Sequence, residues 1–240
     1  MPEPLLLLHG FTQTGHGWDE VVAHLAGETY RPLAPDLRGH GAAGARRPID
    51  MDACVRDVAG LAQGGFALAG YSMGGRIALH VALAVPERVS RLVLVSTTAG
   101  IADPQQRRAR RAGDEALARW MGGRAITQVA DRWGSQPLFA GQPPAVSQAA
   151  RSDRLRNEPE HLAAALRGIG TGVMAPLWER LGELTMPAVV LAGERDAKFV
   201  ALGRRLAEAL PHARLIVVPA AGHALTLEAP GAVAAAIESG

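Results

Sequence analysis

The feature that most constrains this chain is the run Gly70-Tyr71-Ser72-Met73-Gly74 and what lies on either side of it. Before it, Phe66–Ala69 is a short apolar stretch of strand character; after it, Met73–Val85 carries helical periodicity. A strand that passes directly into a helix has room for only one residue at the tip. That residue is Ser72, and glycines two positions to each side remove the Cβ atoms that would block so sharp a turn. The turn presents the Ser72 hydroxyl at a helix amino end, where free N–H groups favour negative charge. In a chain with 28 glycines the bland alternative is a Gly-rich turn with a solvent-facing serine. The strand before and the helix after argue against it.

The rest of the chain supplies the sheet that such a turn needs. Apolar runs at Leu5–Leu8, Arg31–Ala34, Phe66–Ala69, Leu92–Val95, Ala188–Leu191 and Leu215–Val218 alternate with helical stretches near Trp18–Leu25, Asp52–Leu61, Met73–Val85, Val200–Ala209 and Gly231–Ile237. Runs without polar alternation fit strands covered on both faces, so the expected class is α/β with a mainly parallel sheet flanked by helices. With 240 residues, 48% of them hydrophobic, one domain of ordinary size can form around such a core. Only four residues precede the first run, so a shortened N-terminus without an upstream hairpin is expected, and Pro32 would suit an edge strand.

The rhythm breaks between Thr97 and Thr185. Helical patterns at Arg107–Trp120, Ile126–Trp133 and Glu160–Leu166 appear without a strand, separated by Gln136-Pro137 and Gln142-Pro143-Pro144. Residues 99–184 are expected to form a helical cap inserted into a core of residues 1–98 and 185–240. Such a cap would cover the carboxyl edge of the sheet, where open α/β sheets place their ligands.

A serine hydroxyl is a poor nucleophile or base without a proton acceptor beside it. His223 follows the last strand in Ala220-Ala221-Gly222-His223 and is the expected partner. His9 and His40 lie in Gly-flanked loops and read as structural; His16 is a candidate for the site rim; His24, His80, His161 and His212 fall on helices or helix ends. Asp196, after the strand Ala188–Leu191, is expected to orient His223, with Glu194 its nearest rival. The chain order Ser72, Asp196, His223 is the one this strand–turn–helix site uses. Two backbone donors for a developing oxyanion are expected from Met73, next to the serine, and Phe11, in the loop after the first strand.

Charge and cysteine content exclude other classes. The formal charge is +2 with Lys198 the single lysine, and no basic stripe interleaves with aromatics, so no nucleic-acid partner is expected. Cys54 stands alone, which rules out an internal disulfide and fits a buried small side chain. The first residues lack a basic leader and hold only four consecutive leucines. Neither a signal peptide nor membrane insertion is expected, and a cytoplasmic setting is compatible with all of this. Oligomeric state is not readable.

Leu8-His9-Gly10-Phe11, Asp36-Leu37-Arg38-Gly39-His40-Gly41, the Ser72 turn, Gly193-Glu194-Arg195-Asp196 and Gly222-His223 together resemble the α/β-hydrolase superfamily. A narrower likeness runs through Gly70 to Arg76, Trp133-Gly134-Ser135-Gln136-Pro137-Leu138-Phe139, Leu166-Arg167-Gly168-Ile169-Gly170-Thr171-Gly172 and Arg195-Asp196-Ala197-Lys198-Phe199. These segments resemble the menaquinone-pathway 2-succinyl-6-hydroxy-2,4-cyclohexadiene-1-carboxylate synthases. The resemblance implies a lyase that removes pyruvate from 2-succinyl-5-enolpyruvyl-6-hydroxy-3-cyclohexene-1-carboxylate, with no metal and no organic cofactor. It also implies that Ser72, with His223 and Asp196, abstracts a ring proton. Arg38 and Gly134 depart from the subgroup's usual residues.

A small-molecule substrate with several carboxylates requires fixed cations, and the planar guanidinium suits them. Arg76 lies one helical turn beyond Ser72 on the same face. Arg154 matches a family arginine in the cap, and Arg110 matches another less closely. Tyr71 and Trp133 are candidates for the pocket wall, and each is equally readable as core. The triad alone would serve a carboxylesterase or a carbon–carbon bond hydrolase. A cofactor-free haloperoxidase and a non-catalytic binding protein on the same fold are further readings. Epoxide hydrolases and dehalogenases need a carboxylate where Ser72 stands.

Overall fold

The computed structural model describes residues 1–239. Six strands form one sheet in the order β2-β1-β3-β4-β5-β6, and all five pairings are parallel. They are β1 (Glu3–Leu8), β2 (Tyr30–Leu33), β3 (Phe66–Tyr71), β4 (Val89–Val95), β5 (Ala188–Gly193) and β6 (Ala213–Val218). Pro32 sits on β2, the edge strand, opposite Leu5 of β1. There its missing N–H need not leave a gap in the ladder.

Successive strand residues point to opposite faces, and the inner strands β1, β3, β4 and β5 are buried on both. Leu6, Leu8, Leu68, Leu92, Leu94 and Val190 belong to one core cluster. Leu5, Leu7, Ala67, Ala69, Val93 and Leu191 belong to the other. Helices α1 (Asp19–His24), α2 (Met51–Ala59) and α3 (Met73–Ala84) follow the first three strands. Helices α8 (Ala197–Ala209), α9 (Leu225–Glu228) and α10 (Pro230–Glu238) complete the flanks. Cys54 of α2 is buried in the first cluster. Burial pushes its thiol up to about 12, so it stays protonated and serves as packing.

Between β4 and β5 lie α4 (Pro104–Met121), α5 (Ile126–Gly134), α6 (Pro144–Arg154) and α7 (Pro159–Ile169), with no strand among them. Ala118, Met121, Val129, Leu162, Ala163 and Leu166 give these helices a small core of their own. Gln142-Pro143-Pro144 is expected as a break between helices, and α6 begins within it. Proline at the first helical position needs no donor there, so Pro144 starts the helix. No helix among the described residues is long and apolar enough to cross a membrane.

Candidate active site

The carboxyl ends of four strands converge on one place. β3 runs into Ser72, which sits at φ 51°, ψ −105° immediately before α3. A non-glycine residue in that region is strained, and its neighbours hold it there. The Ser72 N–H donates to Val95 O at 2.9 Å, and Thr97 Oγ1 donates to Ser72 O at 2.6 Å. A Cβ on Gly74 would overlap the carbonyl of Leu8, and one on Gly70 would overlap the backbone of Gly74. The close approach of β1, β3 and α3 at this corner depends on both glycines.

His223 follows β6, and its Nε2 is 3.3 Å from Ser72 Oγ. Its Nδ1 is 2.7 Å from Asp196 Oδ2, and both side chains are buried. With Nδ1 donating to the carboxylate, Nε2 is left as the acceptor facing the serine. Asp196 divides its two oxygens. Oδ2 takes the imidazole, while Oδ1 accepts the Phe199 N–H at 3.2 Å and caps α8. The carboxylate is therefore held by a helix end while it holds the histidine. The rings of Phe199, Tyr71 and Phe139 lie 4.5, 5.5 and 6.0 Å from that of His223. Glu194, the rival acid, is exposed and instead accepts the Ala220 N–H at 2.9 Å.

A cavity of about 290 Å³ opens above Ser72. Phe11, Ser72, Met73, Arg76, Arg110, Trp133 and His223 all line it. The backbone N–H groups of Phe11 and Met73 have no acceptor among the described residues. Met73 is buried and Phe11 half-buried, so two unpaired donors border the same cavity as the serine.

Arg76 is 6% exposed and has no carboxylate within ion-pairing distance among the described residues. Its Nη1 donates to Ile169 O at 2.8 Å and contacts Met174 Sδ at 3.6 Å. Burial, then the nearby Arg110, lowers its pKa to about 10, which leaves it charged at neutral pH. Arg110 is half-exposed and pairs through Nε with Asp114 at 2.8 Å.

Tyr71, Asp196 and Arg154 lie behind the lining and are not part of it. Arg154 is buried with its guanidinium carbon 5.1 Å from the Phe139 ring centre, and its Nε has no partner. Burial lowers its pKa and raises that of Tyr71. His16 is not at the rim: it is exposed and bonded to Asp19 at 2.9 Å. Lys198, the single lysine and part of the Arg195–Phe199 segment, lines the cavity together with Phe199. Its position two residues past Asp196 was the available signal.

Residues 3–230 match the alpha/beta hydrolase fold family. The 2-succinyl-6-hydroxy-2,4-cyclohexadiene-1-carboxylate synthase of Salmonella typhimurium (strain LT2) is 34% identical, over 95% of this chain and 90% of its own. The structure of MenH from S. aureus superposes with a TM-score of 0.89 at 30% identity, covering 97% of this chain and 91% of that one. A thermophilic esterase from Thermogutta terrifontis, solved with malate bound, gives a TM-score of 0.83 at 29% identity, covering 99% and 88%. The fold is thus common to a synthase and an esterase, and the site must separate them.

Proposed function

This chain belongs to the alpha/beta hydrolase fold family and, within it, to the 2-succinyl-6-hydroxy-2,4-cyclohexadiene-1-carboxylate synthases; from that membership we propose that it is a lyase of menaquinone biosynthesis. The proposed reaction is elimination of pyruvate from 2-succinyl-5-enolpyruvyl-6-hydroxy-3-cyclohexene-1-carboxylate. The observation that carries this beyond a generic serine hydrolase is Arg76. A buried, charged guanidinium with no carboxylate of its own lines the cavity, one helical turn from Ser72. Burying a cation without a partner is costly, and an anionic substrate supplies the missing charge.

In the proposed mechanism His223 Nε2 takes the Ser72 hydroxyl proton, and Asp196 stabilises the imidazolium that results. The Ser72 oxyanion removes a ring proton. The C–H electrons form the new ring double bond, and the carbon–oxygen bond to the enolpyruvyl group breaks. The leaving oxygen carries the charge away as the enolate of pyruvate, which is protonated at carbon by the proton His223 gives up. The ring proton has returned Ser72 to its hydroxyl, and His223 is left in its neutral form. The N–H groups of Phe11 and Met73 are the proposed donors to that oxygen, and preorganised donors are worth most where charge develops. Arg76, Arg110 and Lys198 are assigned to substrate carboxylates, and Trp133 to the wall beside the ring. Arg154 and Tyr71 are assigned a supporting place behind Phe139 and His223.

A coupled pyruvate-release assay run beside a panel of simple esters tests the reading. Pyruvate release that falls by about 10³-fold or more in Ser72→Ala is the expected result. Folded wild-type enzyme that releases no pyruvate, yet turns over esters through an acyl-enzyme, would overturn it in favour of a carboxylesterase.

A further inference from the structure

The histidine loop is held by a carboxylate that has no part in the mechanism above. Glu228, the last residue of α9, has a side chain only 2% exposed. Its Oε2 accepts the Gly222 N–H at 2.7 Å, and its Oε1 accepts the Ala224 N–H at 3.0 Å. These N–H groups belong to the two residues on either side of His223; that of Ala224 lies in the peptide joined directly to His223, and that of Gly222 in the peptide one residue earlier. The same two oxygens accept Arg195 Nη2 at 2.9 Å and Gln142 Nε2 at 3.2 Å. Arg195 directly precedes Asp196, and its own N–H donates to Ala221 O at 2.9 Å.

Four donors on one buried carboxylate occupy essentially all of its acceptor capacity. Bonds to an ionised acceptor are shorter and stronger than neutral ones, and two of these hold the backbone just before and just after His223, from which its side chain projects. A 3.3 Å separation between His223 Nε2 and Ser72 Oγ leaves little room for the loop to drift before proton transfer fails.

We propose that Glu228 is a positioning residue: its carboxylate clamps the N–H groups of Gly222 and Ala224, the residues flanking His223, and, through Arg195, registers the histidine loop against the Asp196 loop. The clamp rests on the reading of Ser72 and His223 as a reacting pair, and not on the identity of the substrate. It also explains why the acid sits five residues after the histidine. One turn of helix returns the side chain beneath the loop it came from.

Glu228→Gln is the decisive variant. An amide keeps the shape but has one accepting oxygen, and its NH₂ must face a donor, so at least one flanking N–H is stranded. Ser72 is titrated with a fluorophosphonate, which reports activation of the serine whatever the natural substrate is. Rates are normalised to folded protein by thermal denaturation. Glu228→Gln is expected to label at least tenfold more slowly than wild type. In the pyruvate assay its kcat should fall in parallel while KM stays within about twofold. Gln142→Ala removes a donor from the same carboxylate but leaves both flanking amides bonded, and should label within about twofold of wild type.

A Glu228→Gln enzyme that melts earlier yet labels at the wild-type rate would overturn the clamp and leave Glu228 as packing alone. Equal slowing in Gln142→Ala would also overturn it, because the link to residue 142 would then carry the effect. Wild-type enzyme that labels but releases no pyruvate would instead defeat the lyase reading and leave the clamp standing.

Discussion

Thr14 donates both its backbone N–H and its hydroxyl to the carboxylate of Asp153, at 3.0 and 2.5 Å, and so fastens the loop after β1 to the end of α6. Burial raises the pKa of Asp153, and the two Thr14 bonds pull it only partly back. The folded protein therefore keeps this proton at pH values where the unfolded chain, with an ordinary value of about 3.9, has lost it. The sign follows from linkage. Stability from this group is fully present below the unfolded value and is lost as pH rises through the folded one. Asp153→Asn removes the titration and preserves an acceptor for the Thr14 N–H. In thermal melts from pH 4 to 7, wild type should lose stability relative to the variant as pH rises. A difference that is flat across the range would contradict this.

Asn157 extends the same connection towards the proposed oxyanion donors. Its Nδ2 donates to Thr12 O at 3.0 Å, its Oδ1 accepts the Gly41 N–H at 3.0 Å, and Thr12 is held at φ 68°. Phe11 is the neighbour of that strained residue. Asn157→Ala leaves two polar partners unsatisfied, at about 1–3 kcal/mol. It should also let the Phe11 N–H drift, whereas deleting a donor outright costs about 10²–10³ in kcat. About a tenfold fall in kcat with little change in KM is expected from steady-state kinetics. A change confined to KM would place Asn157 in substrate binding instead.

Arg76 sets stability against activity. The buried charge has one backbone carbonyl and a thioether for company, so Arg76→Met should hold or raise the melting temperature while relieving an unpaired cation. The same change should lower kcat/KM for the enolpyruvyl substrate by about 10²-fold, since charged hydrogen bonds to a carboxylate contribute about 1.5–3 kcal/mol. Turnover of a neutral ester should change far less. A large drop in melting temperature would assign Arg76 to the core, not to the substrate.

Local chemistry decided what could be read from the chain. The six strands are legible because each carries a short run without polar alternation, buried on both faces in the inner four, and the Ser72 turn because only glycines fit beside it. Asp196 and His223 follow from their places after β5 and β6. Helix α6 was hidden because two prolines signal a break and a helix start equally well. Glu228, Asp153 and Asn157 were hidden for a different reason. Asp153 and Asn157 act on backbone groups far away in sequence and Glu228 on the loop just before it, and none of the three can be told from a solvated acid or amide until the fold brings its partners. The division of Arg76 and Arg110 from Arg154 is of the same kind. All three are cations near the site, but only the first two reach the cavity.

Lys198 offers a test of how an anionic substrate approaches. It lines both the central cavity and an adjoining cleft of about 440 Å³, which Arg110 and Arg205 also border. Lys198 is exposed and has no ion-pair partner among the described residues, although its Nζ lies 5.5 Å from the Phe199 ring centre. An exposed charge acts over roughly the Debye length, about 10 Å at 0.1 M salt and about 3 Å at 1 M. Rim charges change association rates more than they change the chemical step. Lys198→Gln should therefore raise KM about three- to tenfold in low salt, leave kcat nearly unchanged, and converge with wild type as salt approaches 1 M. A neutral ester should show no such salt-dependent difference. If kcat fell instead and salt had no effect, Lys198 would be touching the reacting atoms rather than steering the substrate towards Ser72.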